Sequence, residues 1–281
     1  MATLKHSRRM AANAVFTSVC WIATGIALTA LVAILWSLVI KGGGGLDLDV
    51  FTKVQPAAGL KGGLLNAIIG SVFMCAVAMV LALIFGVLAG TWLAEFGRDS
   101  RFAEVVRFLN DILLSAPSVL VGLFVWIVLV HPFHGFSALA GSVALALIAV
   151  PIITRTTEDV MKLQPPALRE AGLALGAPHW RTVAAIIWKS SRSGILTAAL
   201  LAFARISGET APLLFTSLGN TSISLDVTKP MASLPGVIYS FALSSDDDLV
   251  RLAWAGSLLV AITVLGINIA ARFATREQKR S

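Results

Sequence analysis

Residues 64–93 read LLNAIIGSVFMCAVAMVLALIFGVLAGTWL, thirty positions without one Asp, Glu, Lys or Arg. A helix needs about 20 predominantly apolar residues to cross the hydrocarbon core of a bilayer. Inside that core every backbone amide must find its partner within the protein, and a helix achieves this within one segment. The stretch therefore predicts a membrane-spanning α-helix, and the rest of the chain has a composition to match. Hydrophobic residues are 57% and charged residues 13% of the 281 positions, and the mean hydropathy is +0.86. Soluble domains carry about 25% charged residues. So few charges cannot clothe a water-facing surface, which excludes a soluble enzyme, a disordered chain and a disulfide scaffold. Cys20 and Cys75 lie in apolar runs and read as small apolar side chains.

Working outward from 64–93, five further runs read as spans: 14–40, 108–130, 138–156, 193–218 and 249–273. The expectation is an all-α integral membrane protein with six transmembrane helices. Lys5, Arg8 and Arg9 ahead of the first run resemble a signal peptide. That run is 27 residues long, however, and a signal h-region has only about 7–15. It is read as a retained first helix.

Lys and Arg set the orientation. Sixteen fall in the N-terminal tail, the loops after the second and fourth spans, and the C-terminal tail; five (Lys41, Lys53, Lys61, Lys229 and Arg251) fall on the other side. This places residues 1–13 and 274–281 in the cytoplasm as tails, which an even number of spans satisfies. The net charge of +7 sits in short segments between apolar runs, with no basic stripe of a nucleic-acid groove.

The cytoplasmic stretch 158–192 is too polar to span and yet has helical content. Residues 167–175 are almost all helix formers. Pro165 and Pro166 break the preceding helix, Gly176 is placed to cap the short one, and Pro178 stops it. A second short helix is expected to begin around His179 and run into the fifth span. Arg169, Glu170, Ala171, Gly172 and Gly176 lie on this loop helix. It reads either as an interfacial amphipathic helix or as a docking helix for a soluble partner, its small residues allowing close approach.

Inside the fifth span lies Ala204-Arg205-Ile206-Ser207-Gly208-Glu209-Thr210-Ala211-Pro212. A charge at mid-membrane is expensive and marks function by default. Four residues apart on a helix, Arg205 and Glu209 share a face and can pair, with Pro212 bending the helix just beyond. The pair either stands on a solute path, where the planar fork of Arg205 meets an oxyanion, or locks helix packing. In the second span, Ala82, Gly86 and Gly90 form a close-packing face. Pro117, with Ser115 and Ser118, and Pro151 are kink positions that either line a cavity or are simply tolerated. The sequence contains no G-x-x-x-x-G-K-[ST] phosphate loop, no H-E-x-x-H and no G-x-S-x-G. His131 and His134 read as a surface pair, and no metal or cofactor is expected.

Residues 170–176, Glu-Ala-Gly-Leu-Ala-Leu-Gly, resemble the EAA loop of bacterial ABC-importer permeases, with Gly172 replacing its second Ala. Downstream, Ile186-Ile187-Trp188-Lys189 keeps the family's Ile and lacks its Leu-Pro. A longer match is carried by Val150 to Glu158, Ala204 to Thr216, Ser115 to Phe124 and Leu252 to Gly256. Together these resemble the PstA-type permease subunits of phosphate-specific ABC importers, over about residues 100 to 281. The resemblance implies a permease core over 64–273, in the bacterial inner membrane, without an ATP site of its own. It implies a homologous permease, PstC, enclosing one path with this chain. Two copies of the ATPase PstB would dock on the EAA loops, and the phosphate-binding protein PstS would deliver phosphate outside. Arg205, Glu209 and Thr210 would then stand on the phosphate path, and Arg169, Glu170, Ala171, Gly172 and Gly176 in the ATPase-coupling loop. The alternatives are a permease for another oxyanion such as sulfate or molybdate, and a secondary transporter or channel that needs no ATPase.

Overall fold

The computed structural model describes residues 2–57, 59–97 and 100–277. Arg98 and residues 278–281, which enter the charge count above, lie outside the described residues. Every regular element among the described residues is helical: α1 (Ala2–Gly43), α2 (Leu48–Thr52), α3 (Leu65–Glu95), α4 (Arg101–Ser115), α5 (Ser118–Val125), α6 (Ala138–Lys162), α7 (Pro166–Ala174), α8 (His179–Thr182), α9 (Trp188–Ile206), α10 (Ala211–Thr216), α11 (Leu234–Ala242) and α12 (Asp247–Glu277). Single π-helical stretches, Trp126–Val130 and Val183–Ile187, continue α5 and join α8 to α9.

The centre of the bundle is the α3–α6 pair. In lipid the apolar transfer term between helices nearly vanishes, so close packing carries association. The face formed by Ala82, Gly86 and Gly90 supplies it. A Cβ at Gly86 would lie 2.8 Å from Ile153 Cβ, and one at Gly90 would lie 2.6 Å from the Thr154 carbonyl oxygen. Glycine is what lets the two backbones approach, as the sequence pattern predicts. Met74, Ala78, Leu145, Ala149 and Ile153 fill the core around this seam, joined by Ala202 and Ile206 of α9. Helix α1 differs: none of its most apolar window is buried, and it meets α12 at its end, where Gly42 packs against Leu258 and Gly45 against Arg251.

By length and apolarity, four helices qualify to cross a membrane: Ala12–Gly43, Leu65–Glu95, Ala138–Lys162 and Asp247–Ala270. The third expected span, 108–130, is not one straight helix. It is a pair, Arg101–Ser115 and Ser118–Val130, bent by 107°, and it brings the count to five if taken as one span. The cause is Pro117. The residue before a proline is pushed out of the helical region, and Ala116 is extended at φ −67°, ψ 134°.

The fifth expected span, 193–218, is also not continuous. Helix α9 ends at Ile206, and α10 starts at Ala211 with Pro212 in its first turn. There the missing N–H removes no helical bond. The bend predicted beyond Glu209 is thus a break placed between Arg205 and Glu209. With Lys189, Arg192 and Arg205 in its 19 residues, α9 is also too charged to pass as a span by composition alone.

Candidate functional site

At the break, Arg205 closes the last turn of α9 and Glu209 stands in the connection to α10. They still meet: Arg205 Nη2 lies 3.3 Å from Glu209 Oε1. The Arg205 side chain is 57% exposed and that of Glu209 11%. The pair is therefore a single ion-pair contact, open on the arginine side, which leaves the guanidinium donors available to an oxyanion. Thr210 opens α10 without a side-chain cap bond. Pro212 of α10 packs against Gly122 of α5, where a Cβ would lie 2.6 Å from Pro212 Cα. The two broken helices thus touch each other. A groove of about 540 Å³ beside the break is lined by Ala204, Ser207, Gly208 and Asn268, among others, and Arg205 and Glu209 are outside its lining.

Within 158–192 the short helix forms where the sequence predicts it, while 158–162 continue α6 and 188–192 already belong to α9. Helix α7 begins at Pro166 and ends before Gly176, which takes φ +75°. The amide of Ala177 donates to the Gly172 carbonyl (3.2 Å) and that of Gly176 to Leu173 (2.9 Å), the Schellman closure of a helix end. Gly176 is required there because a side chain in the left-handed region is strained. Gly172 has a different cause: Thr182 of α8 occupies the space where its Cβ would stand. It permits close approach within the loop itself, not the approach of a partner.

Arg169 and Glu170 are neighbours with opposite fates. Arg169 turns inward, 12% exposed, against Glu95 at the end of α3, itself 1% exposed. Its Nε lies 3.0 Å and its Nη2 2.5 Å from the two carboxylate oxygens, a bidentate fork. Nη1 donates to the Gln164 carbonyl (2.9 Å) and Nη2 also to that of Met161 (2.8 Å). The Glu95 carboxylate raises the Arg169 guanidinium above its ordinary, already high value. Glu170 is exposed, and its side chain makes no hydrogen bond or ion pair among the described residues. Ala171, Leu173 and Leu175 are exposed beside it.

Sequence reasoning missed the partners of these charges. Glu158 of α6, buried, accepts from Arg107 Nε of α4 (2.7 Å) and Lys162 Nζ (2.6 Å), while Arg107 Nη2 donates to the Leu93 carbonyl (3.1 Å). Asn110 of α4 donates to the carbonyl of Pro151 (3.2 Å). Only the Glu158–Lys162 spacing of four was visible along the chain. No group of three or more His, Cys, Asp or Glu residues close enough to hold a metal ion exists among the described residues.

Comparison with known proteins identifies the family. The profile of the family described as "Binding-protein-dependent transport system inner membrane component" matches residues 86–277. The phosphate transport system permease protein PstA of Haemophilus influenzae is 48% identical over 276 residues, 98% of each chain. The PstA protein of Yersinia pestis is 52% identical over 250 residues, 89% of this chain and 85% of that one. The chain belongs to this family, in its PstA branch. The permease fold itself recurs in a solved inward-facing structure of the MetNI methionine ABC transporter, with a TM-score of 0.64 and 18% identity over 76% of this chain and 95% of that chain. As a member of the family the chain is a multi-pass membrane protein.

Proposed function

We propose that this chain is the permease subunit of an ATP-driven importer of inorganic phosphate. The observation that carries this is the near-full-length identity with phosphate permeases, joined to a cation open to an oxyanion at a helix break. The complex includes a second permease and an ATPase, and the ATP chemistry belongs to that separate chain. The finer assignments follow the family: PstC as the homologous permease, two copies of PstB as ATPase, PstS as the phosphate-binding protein, and the bacterial inner membrane as location. Six spans with both termini cytoplasmic suit the charge count. In that arrangement the α4–α5 pair and the α9–α10 pair each make one span, and 64–273 is the permease core between the tails 1–13 and 274–281. A bent or broken helix at membrane depth is tolerated where its loose backbone is buried in protein or lines a watery path.

Phosphate passes Arg205, Glu209 and Thr210 in this reading. Arg205 offers a planar, permanently charged fork to the tetrahedral anion. Glu209 keeps that charge partly compensated, so the anion is held weakly and released. Glu170, unpartnered and exposed beside Ala171 and Leu173, is the contact for the ATPase in the coupling loop, 158–192. Gly172 and Gly176 shape the helix that presents it, and Arg169 holds that helix from behind. The test is phosphate uptake in cells lacking their own high-affinity system, with all partner subunits co-expressed. Uptake by the wild type and its loss in Arg205→Gln, with assembly retained, is the expected result. Sulfate or molybdate uptake in place of phosphate would overturn it.

A further inference from the structure

Glu95 is the last residue of α3, a position where the helix macrodipole opposes a carboxylate and favours a cation. Its side chain is also almost entirely buried. Two local costs at one site call for a reason, and the reason is Arg169. That single guanidinium joins three segments: the end of α3 through Glu95, the end of α6 through the Met161 carbonyl and the adjoining Gln164 carbonyl, and α7, which carries it. Four of the five N–H groups of the fork bond within the chain, which leaves one Nη1–H uncommitted. Leu168, next to Arg169, packs into a small cluster of Ala94, Met161, Val183 and Ile187. His179 of α8 brings Nε2 to 3.9 Å from the same Glu95 carboxylate and sets its ring edge-on against Phe96, with centroids 5.1 Å apart.

We propose that Glu95 is a positioning residue for energy coupling: through its bond to Arg169, displacement of α7 is handed to α3 and α6 as one body. A load on the exposed face of α7, where Glu170 stands, has a stiff route into these two helices, which the Gly86 and Gly90 seam already locks together. Without the carboxylate, Arg169 keeps its carbonyl bonds to the α6 end and loses α3. Helix α7 could then be engaged and moved while α3 lags. This inference rests on the docking role proposed for the loop and goes beyond it, because it concerns a residue that touches neither ATPase nor phosphate.

The experiment uses the complete transporter in lipid vesicles, with ATP hydrolysis and phosphate uptake read in the same preparation. Glu95→Gln is expected to continue hydrolysing ATP while phosphate moved per ATP falls about fivefold or more, the size of a typical coupling energy. Glu95→Asp, which keeps the charge but draws it back, gives an intermediate ratio. The double variant Glu95→Gln/Arg169→Gln leaves no unpaired buried charge, so it serves if the single variant does not assemble, and it shows the same low ratio. A ratio equal to wild type in an assembled variant overturns the proposal. So does a parallel fall of hydrolysis and uptake, because a role confined to holding the fold lowers both together. Wild-type vesicles that take up no phosphate overturn the functional reading instead.

Discussion

Two of the Arg–Glu pairs among the described residues, Arg169–Glu95 and Arg205–Glu209, are built from the same side chains to opposite ends. Arg169–Glu95 is bidentate and buried, and its guanidinium also donates to carbonyls. Arg205–Glu209 is a single contact of 3.3 Å with the arginine more than half exposed. The first pair leaves only one N–H uncommitted, in a site that is 12% exposed, so it holds. The second has donors to spare, so it can bind. Charge type alone does not distinguish the two pairs; the number of uncommitted N–H groups does.

The largest effect that sharpens this contrast is expected from Arg205→Gln. Removing the open fork should reduce phosphate uptake about a hundredfold, as loss of an anion-stabilising donor commonly does, with the assembled complex recovered in normal yield. If uptake survives, the open pair is packing after all and the comparison fails. Arg169→Met should act the other way. It strands the Glu95 carboxylate in its buried site and is expected to lower stability by about 3 kcal/mol, read as an earlier thermal transition of the purified protein.

A smaller, more specific effect is expected from Glu170→Lys, which leaves the fold untouched but reverses the charge on the docking face. Co-purification of the ATPase should drop about tenfold; unchanged recovery would remove Glu170 from the interface. Gly176→Ala forces a side chain into the left-handed region and should destabilise the end of α7 by about 1 kcal/mol, visible as faster amide exchange at Ala177.

The smallest effect concerns a half-buried carboxylate. The backbone amide of Gly59 donates to Asp246, and this bond holds its carboxyl below the usual range. A lowered folded value means the bond is complete above the unfolded value of about 4 and is lost as pH falls through the folded one. Exchange at the Gly59 amide should therefore quicken only in acid, and a response near neutrality would contradict it.

What the sequence made legible was local. Gly176 with Pro178, the proline start of α7, and the Ala82, Gly86 and Gly90 stripe are read within a few residues, and the structure uses them as expected. The partner of Arg169 lies 74 residues away and that of Arg107 51 residues away, and no periodicity reports such distances. Proline gave a correct warning with the wrong address at α9. Pro212 signals an interruption, but the helix stops at Ile206 and restarts so that the proline falls in a first turn where it is harmless. Pro117 marked a true break, yet nothing along the chain announces that the two halves turn by 107°. The residues assigned from the family resemblance to the coupling loop and the path differ in a way that only burial shows: Arg169 and Gly172 face inward, and Glu170 and Arg205 face out.

Helix α1 has 42 residues, about 63 Å at 1.5 Å per residue. It is gripped near one end, where Gly42 and Gly45 press on α12. A rod held that way is a lever. A tilt of only about 5° at the grip sweeps the far end through about 5 Å. In this geometry a small rotation of α12 would be magnified toward the far end of α1. A label near Met10 would read it as displacement.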